Sequence, residues 1–158
     1  MKSNIMLISV ITVVKNDLTR LKKTISSLQE FYQNHNFEHI IIDGKSKDNT
    51  YSFVNQLKVS SKNLIYKSAN DYGIYDAMNK GIDLCRGSFV LFLNAGDELI
   101  IDKIALINKL KEFYNVNIDV LCFPFHHDFK GRIIHRNALQ KNRDKLPTSH
   151  QAMFFSKE

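Results

Sequence analysis

At 158 residues the chain has the length of one domain, and a composition 44% hydrophobic and 24% charged is that of a packed globular protein, not a disordered or fibrous one. No stretch approaches the roughly 20 apolar residues of a membrane-spanning helix. The two cysteines, Cys85 and Cys122, lie far apart and outside any CxxC spacing. They exclude a disulfide-stapled mini-protein and a cysteine zinc site, and they suit a reducing cytoplasm.

In chain order, the apolar run at 5–14 follows a single Lys, has no small-residue cleavage site after it and ends in Lys15-Asn16-Asp17. It reads as a buried first strand, not a signal peptide. Leu18, Leu21, Ile25, Leu28 and Phe31-Tyr32 then recur at helical spacing, with Asp17 as N-cap. A second buried strand is predicted at 39–43, and a helix from 48–50 through Phe53, Val54 and Leu57. A short strand at 64–66, a helix at 73–85, a strand at 89–93 and an amphipathic helix at 101–114 come next. A strand at 118–125 closes the series, with a short antiparallel addition at 131–136. Strand alternating with helix predicts a mostly parallel sheet covered on both faces, an α/β/α sandwich in one domain spanning 1–158.

Ligands of open α/β sheets bind beyond the carboxyl ends of the strands. The segments after the first four strands are Val13-Val14-Lys15-Asn16, then Asp43 to Asp48, then Ser68 to Gly73, then Asn94-Ala95-Gly96-Asp97-Glu98. One polar loop is a turn signal; four at one edge point to a site. No GxGxxG follows the first strand and no GxxxxGKS occurs, which argues against a dinucleotide site and a P-loop. The strand-end carboxylates suit a hard cation or hydrogen bonds from a base or ribose. Asp97, directly after a hydrophobic strand, fits the cation.

The segments SVIT at 9–12, IIDGKSKDNT at 41–50, DYGIYDAMNKGI at 71–82, LNAGD at 93–97 and SHQAMFF at 149–155 together resemble the family 2 glycosyltransferases of the GT-A fold. The likeness is greatest to bacterial exopolysaccharide enzymes of the colanic-acid type, and GIYDAMNKG is its most specific block. The resemblance implies a Rossmann-like GT-A sandwich. It also implies a nucleotide-sugar site in which Val13 to Asn16 and Asp43 hold the base, and Asp71, Asp76 and Asn79 shape the ribose, diphosphate and sugar pocket. Asp97 matches the last acid of the DxD-like motif and would bind Mn²⁺ or Mg²⁺; Asn94 stands where that motif's leading acid is usual. His150 and Gln151 would line the acceptor and diphosphate side, with His150 a secondary catalytic candidate. Lys15 replaces a tyrosine frequent in relatives. Relatives continue past the His-Gln segment, so the chain is expected to lack an acceptor-side part that carries the catalytic base, beyond Glu158.

Each residue has a plainer alternative. Asp48 reads as a helix cap, Glu98 as structural, and Tyr75 and Met78 as packing. His126-His127-Asp128 does not read as a metal cluster, because adjacent residues of an extended segment point to opposite faces. The implied reaction is inverting and metal-assisted transfer from a nucleotide-diphosphate sugar, UDP-linked by expectation, to a glycan or lipid-linked acceptor of surface polysaccharide synthesis at the cytoplasmic face of the membrane. The alternatives are a non-catalytic donor-binding module and a metal-dependent phosphohydrolase. The 22 Lys and Arg exceed the 16 Asp and Glu by six, which suits a phosphorylated ligand or anionic lipid and so a peripheral membrane contact. The basic residues form no basic–aromatic comb, and nucleic acid is not an expected partner. The chain leaves oligomerisation open.

Overall fold

The computed structural model of the protein describes residues 8–114, 119–137 and 150–157. Its spine is β1 (Ile8–Val14), where every residue is buried and all but Ser9 are β-branched. That composition fits a pleated surface packed on both faces. β2 (Phe37–Asp43) is equally buried, and β3 (Leu64–Ser68) lies beyond it at the sheet edge, half-buried. β4 (Phe89–Phe92) pairs with the other side of β1. These four strands are parallel, in the order β3-β2-β1-β4. The chain therefore steps outward from β1 on one side, then returns to begin again on the other. The boundary between β1 and β4 is the topological switch point, where the carboxyl edge opens into a crevice.

Among the described residues four α-helices cover the sheet. α1 (Leu18–Ser27) starts where the Asp17 carboxylate accepts the Arg20 amide at 3.1 Å. α2 (Thr50–Ser60) packs beside α1, with Leu21, Ile25 and Val54 set against Val14, Ile41 and Leu64. α3 (Ile74–Ile82) presents Ala77 and Met78 to a second cluster with Ile11, Val13, Ile40 and Ile42. α4 (Lys103–Phe113) brings Leu106, Ile107 and Leu110 to Ile8, Val10, Phe89 and Leu91. Odd and even residues of β1 thus serve different layers, as a period of two requires.

The carboxyl-terminal region departs from the sequence reading. The strand expected at 118–125 is two strands, β5 (Val120–Cys122) and β6 (Phe125–Phe129), which belong to different sheets. Pro124 lies between them and has no amide to continue a ladder. β7 (Arg132–Arg136) pairs antiparallel with β6 as a separate ribbon and is not an addition to the main sheet. The main sheet is completed by β8 (Met153–Ser156), running antiparallel between β4 and β5. The sequence reading had no strand there. The helix expected at 101–114 begins two residues later, because the Asp102 carboxylate caps it by accepting the Ala105 amide at 2.8 Å. Helix α3 ends at Ile82, three residues short of the expected end. Among the described residues no helix is long and apolar enough to cross a membrane.

Two buried polar clusters cross the strands. At the amino edge, Glu38 is fully buried and accepts hydrogen bonds from Ser9 Oγ (2.6 Å), the Arg86 amide (2.6 Å) and Arg86 Nε (2.9 Å). Gly87 N donates to the same Ser9 hydroxyl at 2.8 Å, which ties β1, β2 and the start of β4 together. Nearer the carboxyl edge, His39 is fully buried between Thr12 and Tyr32. Burial lowers the His39 pKa from 6.5 to about 3.

Two predictions follow from this packing. Gly81 of α3 lies so close to β1 that a methyl group there would stand 2.5 Å from Ile11 Cγ2. Alanine would gain about 1 kcal/mol of helix propensity and lose about 1–3 kcal/mol to overpacking. Gly81→Ala is therefore expected to lower stability in urea unfolding. His39 is neutral when folded and takes a proton on unfolding below pH 6.5, so its contribution is complete above that pH and falls as acid is added. Between pH 7 and pH 5 this removes about 2 kcal/mol, at about 1.4 kcal/mol per unit. Denaturant titrations at the two pH values should show that slope, and it should be absent in His39→Gln.

Candidate functional site

The loops after β1 and β2 bend through left-handed backbone at Asn16 (φ 53°) and Lys45 (φ 59°). They are laced side chain to main chain. The Asn16 amide donates to Ser46 Oγ at 2.8 Å, and Asn16 Oδ1 accepts the Lys47 amide at 2.7 Å. Asp48 accepts the Thr50 amide at the start of α2 and the Leu18 amide at the start of α1, both at 3.1 Å. It is a cap for two helices where the sequence suggested one. Asn16, expected at the nucleotide, is engaged in this lacing. Val13, expected there too, turns its side chain into the α3-facing core.

Asp43 is 1% exposed at the end of β2. Its Oδ1 accepts the Ser46 amide at 3.0 Å; its Oδ2 accepts the hydroxyls of Tyr66 (2.7 Å) and Ser68 (3.1 Å). Burial, and then the carboxylate beside it, push the Tyr66 hydroxyl pKa up. Asp71, beyond β3, lies over Gly44: a Cβ at Gly44 would meet Asp71 Oδ2 at 2.3 Å and the Lys15 stem at 3.1 Å. Lys15, Gly44 and Asp71 therefore converge from three successive loops, with Asp43 just beneath. Only a residue without a side chain leaves room at position 44.

Asp76 belongs to the start of α3. It accepts the Tyr72 amide at 2.9 Å and Lys80 Nζ at 2.5 Å, and the Lys80 hydrogen bond holds its carboxyl below the usual range. Lys80 also donates to the Asn70 carbonyl at 2.6 Å, so the pair braces the loop before α3. Asn79 is solvent-exposed on the same helix.

The Asn94–Asp97 turn stands across the crevice. Asn94 N donates to Asp97 Oδ2 at 3.1 Å, and Asp97 N to the Asn94 carbonyl at 2.9 Å. Gly96 takes φ 103° within it. Thr24, fully buried on α1, clamps the turn: its hydroxyl bridges the Asn94 and Asp97 carbonyls (3.1 and 2.7 Å) and accepts the Gly96 amide at 2.9 Å. One turn on, Ser27 Oγ accepts the Leu99 amide at 3.0 Å. Asp97 and Gln151 line one cavity of about 810 Å³, with Phe123, Phe125, His126, His127 and Ile133 on its walls. His150 lies in the short turn before β8. The candidate residues therefore divide between a donor-side group (Asp43, Asp71, with Asp76 bracing) and a cavity-side group (Asp97, Gln151).

Sequence reasoning missed Tyr66, Ser68, Thr24 and Ser27. The signal was present: Tyr66 and Ser68 alternate along β3, and Thr24 and Ser27 interrupt the apolar stripe of Leu21, Ile25 and Leu28. His126 and His135 face each other across the hairpin with ring centroids 4.2 Å apart. Among the described residues no three His, Cys, Asp or Glu side chains group to hold a metal.

This architecture, a mostly parallel six-stranded sheet with its switch point between β1 and β4, is that of GT-A glycosyltransferase structures. The family model for "Glycosyl transferase family 2" matches residues 9–156, and the chain belongs to that family. It is 29% identical over 160 residues to a Campylobacter jejuni GalNAc(5)-diNAcBac-PP-undecaprenol beta-1,3-glucosyltransferase, covering 94% of this chain and 50% of that protein. The crystal structure of Staphylococcus aureus TarS 1–349 in complex with UDP-GlcNAc superposes with a TM-score of 0.68 at 23% identity, over 86% of this chain and 39% of that one. A mannosyltransferase from Pyrobaculum calidifontis, solved with GDP-Man and Mn²⁺, gives a TM-score of 0.61 at 18% identity, over 73% and 34%. The chain spans half or less of the length of the curated relatives it matches. Membership of that family agrees with the resemblance carried by the sequence motifs.

Thr24→Val keeps the shape of the side chain and removes the clamp from the Asn94–Asp97 turn. The expected loss is about 1–3 kcal/mol, because the half-buried Gly96 amide is left without its acceptor. Urea unfolding measures the loss, and faster hydrogen exchange at the Gly96 amide locates it. Thr24→Ser should restore most of both.

Proposed function

We propose that this chain forms the donor-binding part of an inverting glycosyltransferase that takes a UDP-sugar and transfers the sugar to a glycan or lipid-linked acceptor in surface polysaccharide synthesis. The observation that carries the reading is the meeting of loops from β1, β2 and β3 at Lys15, Gly44 and Asp71, opposite the Asp97 turn on β4. The undecaprenol-linked substrate in the name of the Campylobacter relative and the UDP-GlcNAc in the TarS structure support a lipid-linked acceptor and a uridine donor.

In this reading Asp43, buried and held by Tyr66 and Ser68, fixes the end of β2 and the Gly44 turn beneath the base. Lys15 supplies positive charge beside the donor, and Asp71 accepts hydrogen bonds from ribose or sugar hydroxyls. The cavity beyond Asp97 receives the acceptor, with Gln151 as a polar contact and Phe123 and Phe125 as apolar walls. The chain's part is to bind both partners in line and to exclude water between them.

The Asp97 carboxylate fits a hard divalent cation: it is an oxygen donor on a clamped turn at a cavity wall. Mg²⁺ and Mn²⁺ sites of this kind need only one or two carboxylates when substrate phosphates complete the shell. When bound, such an ion neutralises charge on the departing diphosphate. The Mn²⁺ in the Pyrobaculum enzyme supports this assignment.

Calorimetric titration of UDP and GDP, with and without Mn²⁺, tests the proposal on wild type and Asp97→Asn. UDP is expected to bind in preference to GDP and at least tenfold more tightly with Mn²⁺, and Asp97→Asn to lose that gain. Failure of both nucleotides to bind, or binding indifferent to Mn²⁺ and to the substitution, would overturn it.

A further inference from the structure

A hydrogen-bond chain inside the sheet ends on the main chain just ahead of the Asp97 turn. Thr12 Oγ1 lies 2.7 Å from the Leu93 carbonyl and 2.8 Å from His39 Nε2; His39 Nδ1 lies 2.6 Å from the Tyr32 hydroxyl. Proton positions follow from chemistry. A carbonyl only accepts, so the single Thr12 proton goes to Leu93. The Thr12 oxygen must then accept from Nε2–H, which leaves Nδ1 as an acceptor for Tyr32 O–H. The direction is fixed along the whole chain, from Tyr32 to Leu93. Thr12 and His39 are completely buried, and the low His39 pKa keeps the ring neutral, so ordinary pH does not reverse the order.

The location matters more than the bonds. Regular β1–β4 pairing ends at Ile11 and Phe92. Beyond it the Leu93 amide reaches the Ile11 carbonyl at 2.9 Å, and the Ala95 amide reaches Val13 only at 3.3 Å. These two main-chain bonds carry the pairing up to the Asp97 turn, the second longer than the first, and the Thr12 hydroxyl takes the Leu93 carbonyl beside them. Thr24 grips the turn from the α1 side; Thr12 grips its root from inside the sheet. A polar chain in the core carries a desolvation penalty that apolar residues would not, and of the two such clusters this one ends beside the Asp97 turn while the Ser9–Glu38–Arg86 cluster lies at the opposite, amino edge.

We infer that Thr12, His39 and Tyr32 are positioning residues that set the opening of the β1–β4 crevice, and with it the placement of Asp97 for the cation-dependent part of nucleotide binding. The inference rests on the reading of Asp97 given above. The loops taken to hold the base follow β1, β2 and β3 and are laced independently of this chain. Loss of the relay should therefore split the binding energy.

The test measures UDP affinity by calorimetry with and without Mn²⁺, alongside thermal unfolding, in Thr12→Val, Thr12→Ser and Tyr32→Phe. In Thr12→Val the Mn²⁺-dependent gain should shrink at least threefold while affinity without Mn²⁺ stays within twofold of wild type. Thr12→Ser, which keeps the hydroxyl, should retain the gain. Tyr32→Phe should show the same split, and it carries the test if Thr12→Val does not fold. An unchanged gain, or a proportional fall with and without Mn²⁺, refutes a positioning role. A gain lost in Asp97→Asn but kept in Thr12→Val sinks the relay alone; a wild type with no gain sinks both readings.

Discussion

The dual burial of β1 is the constraint on which the rest depends. Hydrogen-bonded on both edges and packed on both faces, it has no solvent-facing side. Each residue must therefore satisfy a helix layer above or below, and the sequence answers with β-branched side chains. Because the chain begins in the middle of its sheet, it must extend on one side and then restart on the other. At that restart the connections leave β1 and β4 in opposite directions, which is what makes a crevice at their carboxyl ends. The crevice follows from topology before any polar residue is considered.

Polar residues at the carboxyl edge mostly hold one another. Asn16, Ser46 and Asp48 join two loops, Asp43 gathers Tyr66 and Ser68, Asp76 and Lys80 brace the start of α3, and Thr24 fixes the Asp97 turn. These bonds oppose the conformational entropy of loops that would otherwise sample many shapes. A preset loop binds its ligand without ordering at that moment, which raises affinity for the same contacts. Several conspicuous residues of the motif therefore hold the frame of the loops as well.

Much of this was legible in the sequence. The alternation of β-branched runs with amphipathic stretches carried the parallel sheet, and turn-rich polar segments after each strand marked one edge. Position 44 shows the limit. A glycine after Asp43 read as a turn, whereas the structure has it admitting Asp71 from a loop 27 residues away. Val13 shows another limit: its place in a motif does not tell that the pleat turns its side chain into the core and leaves only its backbone at the strand end. The 118–125 run looked continuous because hydrophobicity does not register that Pro124 ends one ladder and that the next belongs to another sheet.

The sequence by itself determined the family and most of the element types up to α4, because these depend on local periodicity and on residues adjacent in the chain. Only the tertiary structure decided which side chains face open space and which hold the frame. The insertion of β8 between β4 and β5, the clamp of Thr24 on a turn 70 residues later and the relay from Tyr32 to Leu93 join residues distant along the chain. Such pairings are set by packing and hydrogen-bond geometry in three dimensions, and no local pattern encodes them.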